Sequence, residues 1–377
     1  MKAFLRRWWL ALAVPVVVVG LLAGLWSVPP TNLALKTAVL LPGVFVDLPA
    51  PLYLLGEEIT QDRVAFDYDS GTAQANIYRP KDGERHASLL IIPGAAPRGL
   101  DDPRVIRLAE FGARLGFVVM IPELPDLMQG LVHPGELECI VAAHQFLQRQ
   151  PFVDPERIGI LGFSVGGGLA LVAAADRRIR EEVALVGSFG GYYDLRELVI
   201  AATSGTVRLD GKTQPWEPSR HALKVLRRSV LHTVEDADER RALERALEGE
   251  VHPSVLSPEA RLMHDLMAGS DPQRARDLLN DSLPRLASML DRLSPRSNLD
   301  ALQADVFLVH STEDPLIPYI ESRNLRDALE ARGLRVHYSE LSIFRHLSPS
   351  LPADPLTILG DGARLLFISY MLLWRLQ

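Results

Sequence analysis

The sequence predicts an α/β chain: a mostly parallel central sheet with helices on both faces, preceded by an N-terminal transmembrane helix and interrupted by an inserted helical cap. Three observations carry that expectation. Between residues 88 and 187, short continuously apolar runs alternate with longer amphipathic stretches, as strands buried on both faces alternate with crossover helices. After Asp194 the alternation stops, and 195–299 is charged, helix-favouring and without strand-like runs. Residues 8–26 are apolar and uncharged over about the length that crosses a bilayer.

The elements follow in order. Lys2, Arg6 and Arg7 precede the apolar run, so 1–28 is expected to be a membrane anchor with a cytoplasmic N-terminus and the remaining chain on the opposite side. A cleaved signal peptide is the alternative, with a secreted product. The run is long for that, and it leaves through Gly24-Leu25-Trp26-Ser27-Val28-Pro29-Pro30 rather than through small residues. Residues 29–57 stay apolar, but Pro42, Pro49 and Pro51 interrupt them, which makes them a juxtamembrane connector rather than a second span. From 58 a hairpin opens the core, with strands at 64–68 and 73–78 joined by Asp69-Ser70-Gly71. Strands are expected at 88–92, 117–121, 157–162 and 182–187, with helices at 102–115, 136–150 and 165–175. Right-handed crossovers between such strands give a parallel sheet. The core therefore comprises 58–194 and 300–377, and 195–299 forms the cap over the pocket mouth. Strands at 305–310 and 335–341 and a helix at 320–332 complete the core. The apolar run 365–376 is too short to cross a bilayer and reads as an ordinary core helix.

Composition narrows the function. With 47% hydrophobic residues the chain can bury a large core, and its net charge of -7 with no basic block argues against a nucleic-acid partner. Cys139 is the single cysteine, so no intramolecular disulfide forms. No Cys/His cluster has metal-ligand spacing, and there is neither a Walker A loop nor a G-x-G-x-x-G after a strand; no cofactor or metal is expected.

Chemistry concentrates at Gly162-Phe163-Ser164-Val165-Gly166, a G-x-S-x-G directly after a buried strand and directly before a small-residue helix. Glycines flank the serine because side chains would clash at so tight a corner, and the helix starting at Val165 aims free N–H groups at the place where an oxyanion would form. Ser164 is the expected nucleophile. In this arrangement the acid and then the histidine follow along the chain. His310-Ser311-Thr312-Glu313-Asp314-Pro315 leaves a strand for a loop, which nominates Asp314 as the acid with Glu313 as the neighbouring alternative. His337 lies inside a strand, whereas His346 lies in the loop beyond it and is the expected general base. One oxyanion donor is expected from the N–H of Val165. The second comes from Pro93-Gly94-Ala95-Ala96-Pro97, where Ala95 N–H is preferred and Ala96 is the fallback, since Pro97 has none.

These residues resemble the α/β-hydrolase superfamily, in the branch of dienelactone-hydrolase-like and related carboxylesterase domains. The resemblance covers 60–194 and 300–377, and its most telling pieces are 153–158 leading into the serine corner, Gly191-Tyr192-Tyr193-Asp194 after the next strand, and Asp314-Pro315-Leu316-Ile317-Pro318. It implies an α/β-hydrolase fold and ester hydrolysis through an acyl-enzyme on Ser164. Two departures stand out. Pro93-Gly94 replaces a frequent His-Gly, with no His-Gly-Gly-Gly run, and Phe163 stands where many relatives carry His. A small-molecule ester or acyl substrate is the expected partner, besides the bilayer. Acyl transfer, peptide hydrolysis on the same fold, and a non-catalytic membrane-bound scaffold remain the alternatives.

Overall fold

The computed structural model describes residues 28–209, 211–269, 271–350 and 354–377. The anchor expected over 1–28 lies outside the described residues except for its last position, Val28.

Eight strands form one twisted sheet in the order β1-β2-β4-β3-β5-β6-β9-β10. The strands are β1 (Ile59–Tyr68), β2 (Gly71–Pro80), β3 (His86–Ile92), β4 (Val118–Pro122), β5 (Val153–Phe163), β6 (Val183–Phe189), β9 (Asp305–Ser311) and β10 (Val336–Leu341). The β1–β2 hairpin pairs antiparallel and lies antiparallel on β4; every other pairing is parallel. The crossover helices are α2 (Pro103–Arg114), α4 (Gly135–Gln148), α5 (Val165–Ala174) and α12 (Ile320–Glu330), and a one-turn helix α3 (Pro125–Met128) precedes α4. Alternate residues of each strand face opposite sides. Leu90, Ile92, Ile158, Ile160, Val186 and Leu308 pack toward α4, α5 and α12, whereas Leu89, Ile91, Leu161, Leu185 and Phe307 pack toward α2 and the two terminal helices. Both faces being covered explains the continuous apolar runs.

The connector 29–57 is structured. It forms α1 (Pro29–Leu40), which buries Leu33, Thr37 and Leu40, and then two 3-10 turns at Leu41–Val44 and Ala50–Leu55 that lie against the domain.

Between Asp194 and Asn298 the chain builds α6 (Leu195–Ser204), α7 (Arg220–His232), α8 (Ala237–Leu247), α9 (Pro258–Met267), α10 (Pro272–Asp277) and α11 (Pro284–Leu293). The expectation that this stretch lacks strands is corrected: β7 (Thr206–Leu209) pairs antiparallel with β8 (Lys212–Pro215). These strands are four residues each and none of their residues is buried, so they carry no buried apolar run.

The C-terminal helix also differs from expectation. As α13 (Pro355–Leu376) it begins before the apolar run, because Asp354 caps it by accepting N–H bonds from Leu356 and Thr357 and Pro355 fits its first turn. Among the described residues it is the helix long and apolar enough to cross a membrane by length and composition. One of its faces is nevertheless buried, through Ile368, Leu372, Leu373 and Leu376 on the sheet.

Candidate active site

Ser164 stands on the corner between β5 and α5 with φ 56° and ψ -132°, a backbone conformation that L-residues avoid. Close packing enforces the corner. A Cβ on Gly162 would come within 2.1 Å of the Gly166 carbonyl, and one on Gly166 within 2.4 Å of the Pro93 carbonyl. Only His346 shares a positive φ with Ser164 among the described non-glycine residues, at 59°. His346 opens the two-residue turn between β11 (Phe344–Arg345) and β12 (Ser348–Pro349). Strain of this kind, one to three kcal/mol or about that per residue, persists where the surroundings hold it, and it gathers at functional sites.

His346 Nδ1 lies 2.6 Å from Asp314 Oδ2. A carboxylate accepts, so Nδ1 carries the proton and Nε2 is left with its lone pair, the form a general base requires. Glu313, the alternative acid, is exposed and makes no such bond. Asp314 is buried at the carboxyl end of β9, with Oδ1 accepting N–H bonds from Leu316 (2.7 Å) and Ile317 (3.0 Å). Burial pushes its carboxyl up, but hydrogen bonds from His310 and His346 outweigh burial and hold it well below the usual carboxylate range.

His310 escaped the sequence reading as a site residue. It is fully buried, and its Nε2 lies 2.9 Å from the Ile317 carbonyl and 3.3 Å from Asp314 Oδ2. Both neighbours are acceptors, so Nε2 donates and Nδ1 accepts from the Ser322 hydroxyl at 2.5 Å. Its place four residues before Asp314 was visible in sequence; its facing the carboxylate was not. His337 stacks on Phe307 at a 4.4 Å centroid distance, away from the site.

Among the described residues Ser164 Oγ has no hydrogen-bond partner. Its backbone N–H donates to Phe189 O at 2.8 Å, and the next residue, Gly190, lies under the other two groups: a Cβ there would be 3.3 Å from the His346 ring and 3.5 Å from Asp314 Oδ2. Ser164 and the His346–Asp314 pair thus both lie against Phe189–Gly190 at the end of β6, and among the described residues Ser164 Oγ makes no hydrogen bond to the imidazole. Among the described residues neither the Val165 N–H, at the start of α5, nor the Ala95 N–H has a hydrogen-bond partner. The loop carrying Ala95 approaches closely because a side chain at Gly94 would meet Ser164 Cβ at 2.8 Å.

A cavity opens from Ser164 and Ala95 under the cap. Its walls are Leu195, Leu198, Val199 and Ala202 of α6, Ala222, Val225 and Leu226 of α7, and Met289, Leu290 and Leu293 of α11, with Val132, Leu316 and Ile317 from the core. No Asp, Glu, Lys or Arg lines it; Ser164, Ser229 and His221 are its polar side chains. The cap is fastened around it: Ser219 N–H donates to Pro315 O (2.8 Å), Trp216 Nε1 to Asp314 O (3.3 Å), Val132 N–H to Ser229 Oγ (2.9 Å) and Tyr192 OH to Leu293 O (2.8 Å). No group of three or more His, Cys, Asp or Glu side chains among the described residues is arranged to hold a metal ion.

A profile described as the prolyl oligopeptidase family matches residues 129–223, which include Ser164, all of the first cap helix and only the first four residues of the second, and stop short of Asp314 and His346. The acylaminoacyl peptidase of Pyrococcus horikoshii superposes with a TM-score of 0.52 at 15% identity, over 85% of this chain and 42% of that one. A puromycin-hydrolysing peptidase of Mycobacterium tuberculosis gives 0.52 at 17% identity, over 87% and 40%. The chain thus spans less than half of those structures. Among curated proteins, a multifunctional CCA protein of Nitrosomonas eutropha is 32% identical over 109 residues, covering 27% of this chain and 26% of that protein. At these identities the solved structures speak to the fold alone.

Proposed function

We propose that this chain, a member of the α/β-hydrolase superfamily, is a serine hydrolase that cleaves carboxylic esters through an acyl-enzyme on Ser164. The observation that carries the reading is the strained Ser164 at the mouth of a largely apolar cavity, with the His346–Asp314 pair held beside the same strand end. His346 Nε2 takes the hydroxyl proton as Oγ attacks the carbonyl carbon, and Asp314 stabilises the imidazolium. The N–H groups of Val165 and Ala95 receive the oxyanion. Collapse breaks the ester bond, and the leaving alkoxide takes the proton from Nε2. Water then repeats the sequence on the acyl-enzyme, and the acid departs with Ser164 restored.

The cavity supports an aliphatic acyl group as the buried part of the substrate, since it offers apolar contact and no charge to anchor a peptide terminus. A second reading, amide or peptide hydrolysis by the same residues, is favoured by the prolyl oligopeptidase match over 129–223. The same proposal puts the enzyme at a membrane, on the support of residues 8–26.

Wild type and Ser164→Ala are to be compared on p-nitrophenyl esters from acetate to dodecanoate and on neutral peptide p-nitroanilides, after labelling with a fluorophosphonate. Labelling of wild type alone, with turnover peaking at intermediate ester length, is the expected result. Preference for the anilides would favour the peptidase reading, and equal labelling of folded Ser164→Ala would refute the nucleophile.

A further inference from the structure

A side chain of the cap hydrogen-bonds to the loop of the proposed oxyanion hole. His221, in the first turn of α7, places Nε2 3.2 Å from the Ala95 carbonyl oxygen. A carbonyl only accepts, so Nε2 carries the proton and donates. Few other anchors hold this loop. Pro93 and Pro97 have no N–H, and the N–H groups of Gly94, Ala95 and Ala96 make no hydrogen bond within the described protein. Apart from the His221 contact, the loop's hydrogen bonding comes down to the Ala96 carbonyl, which accepts from Gly99 N–H at 3.0 Å. Residue 95 therefore stands at the mouth of the cavity beside Ser164, with its N–H free and its carbonyl gripped from the cap. The two groups flank one Cα, so fixing the carbonyl limits the rotation that would swing the N–H away from Ser164.

We infer that His221 is a positioning residue for the hydrolysis proposed above: from the cap, it holds residue 95 so that the Ala95 N–H stays aimed at the developing oxyanion. The inference rests on that reading of Ser164 and extends it, because it makes the cap a working part of the transition-state site as well as a wall of the cavity. Pre-aimed donors contribute to catalysis because they need no reorganisation as charge develops. A loosened donor then lowers turnover and leaves ground-state binding of a short ester alone.

The test uses the full-length protein and compares wild type, His221→Ala, His221→Gln and Ser164→Ala with p-nitrophenyl acetate and butyrate, together with an alkyl boronic acid as a mimic of the tetrahedral species. Glutamine keeps an N–H donor that reaches a similar distance. In His221→Ala, kcat should fall by about tenfold, less than the 100-fold or so of losing a donor outright, with KM within about twofold. Boronate affinity should weaken in step with kcat/KM, and His221→Gln should recover most of both. Unchanged kcat in His221→Ala overturns the inference. So does a raised KM at constant kcat, which would make His221 a substrate contact, and so does a shared loss in both variants that follows their melting temperatures. A wild type no faster than Ser164→Ala would overturn the underlying hydrolase reading, and this inference with it, which sets that failure apart from the others.

Discussion

Asp314 is gripped from two sides by imidazoles, and the two grips differ in consequence. His346 is part of the proposed proton relay, so Asp314→Asn should favour the wrong tautomer of His346 and cut kcat/KM by about 10³-fold or more. His310 acts only through the carboxylate. Replacing it by Ala removes a donor that opposes burial, so the Asp314 carboxyl rises from its lowered position. An acid whose ionised form is needed then loses activity at a higher pH. The expected outcome for His310→Ala is a smaller loss, on the order of tenfold, with the acid limb of the kcat/KM profile moved upward. A purely structural role would lower the melting temperature and leave that limb in place. The pH profiles of wild type and both variants on p-nitrophenyl butyrate check this. Sequence alone nominated Ser164, Asp314 and His346 because corner glycines and strand-end loops are local signals, and the structure pairs the last two. His310, His221 and Glu321 stayed hidden because each matters through a contact with chain far from it.

Among the elements, those of the sheet were the most legible, since strands covered on both faces must be apolar throughout. β5 begins four residues before the strand expected at 157–162, at Val153, and this early part is irregular, bulged against β3 between His86 and Ser88. The β7–β8 hairpin went unread because its strands are short and bury no residue, and α13 was read short because its first turns are held by a cap rather than by apolar periodicity. The seam of cap and core depends on α12. Glu321 in its first turn is fully buried, and Oε2 accepts the N–H groups of Tyr193 and Asp194, both at 2.9 Å, where α6 departs. Burial dominates these bonds and pushes the carboxyl up to about 8 from 4.5. The folded state thus holds a proton that the unfolded chain has released, so this contribution is complete below about 4.5 and is lost as pH rises toward 8. Glu136, buried under α3 and raised to about 7, has the same sign, whereas Asp314, lowered, affects only strongly acid conditions. Urea unfolding at pH 5 and pH 8.5, about the limits of this window, should show wild type losing a few kcal/mol across it. Glu321→Gln, which keeps an acceptor without a charge, should lose markedly less. An equal loss in both would remove Glu321 from the account.

On the scale of the whole molecule two apolar segments compete for a membrane. Residues 8–26 carry no charge and follow Lys2, Arg6 and Arg7. Helix α13 has the length and hydropathy, and it exposes Leu356, Leu359, Phe367 and, in part, Trp374. Packing separates them. To cross a bilayer, α13 would have to withdraw Ile368, Leu372, Leu373 and Leu376 from the sheet, about 1.5–3 kcal/mol of apolar burial for each side chain, and would uncover the strands beneath. It would also strip Asp361 of the bonds it accepts from Ser342 N–H (2.6 Å) and Oγ (2.8 Å). The membrane contact proposed here therefore belongs to 8–26. Full-length protein should sediment with membranes and resist extraction by alkaline carbonate. A chain lacking residues 1–28 should appear in the supernatant and still hydrolyse short esters. A triple Leu356→Ser, Leu359→Ser, Phe367→Ser variant of the full chain should stay with the membrane. If instead the truncated chain sedimented and the triple variant were released, the exposed face of α13 would be the attachment and the N-terminal segment would have no part in it.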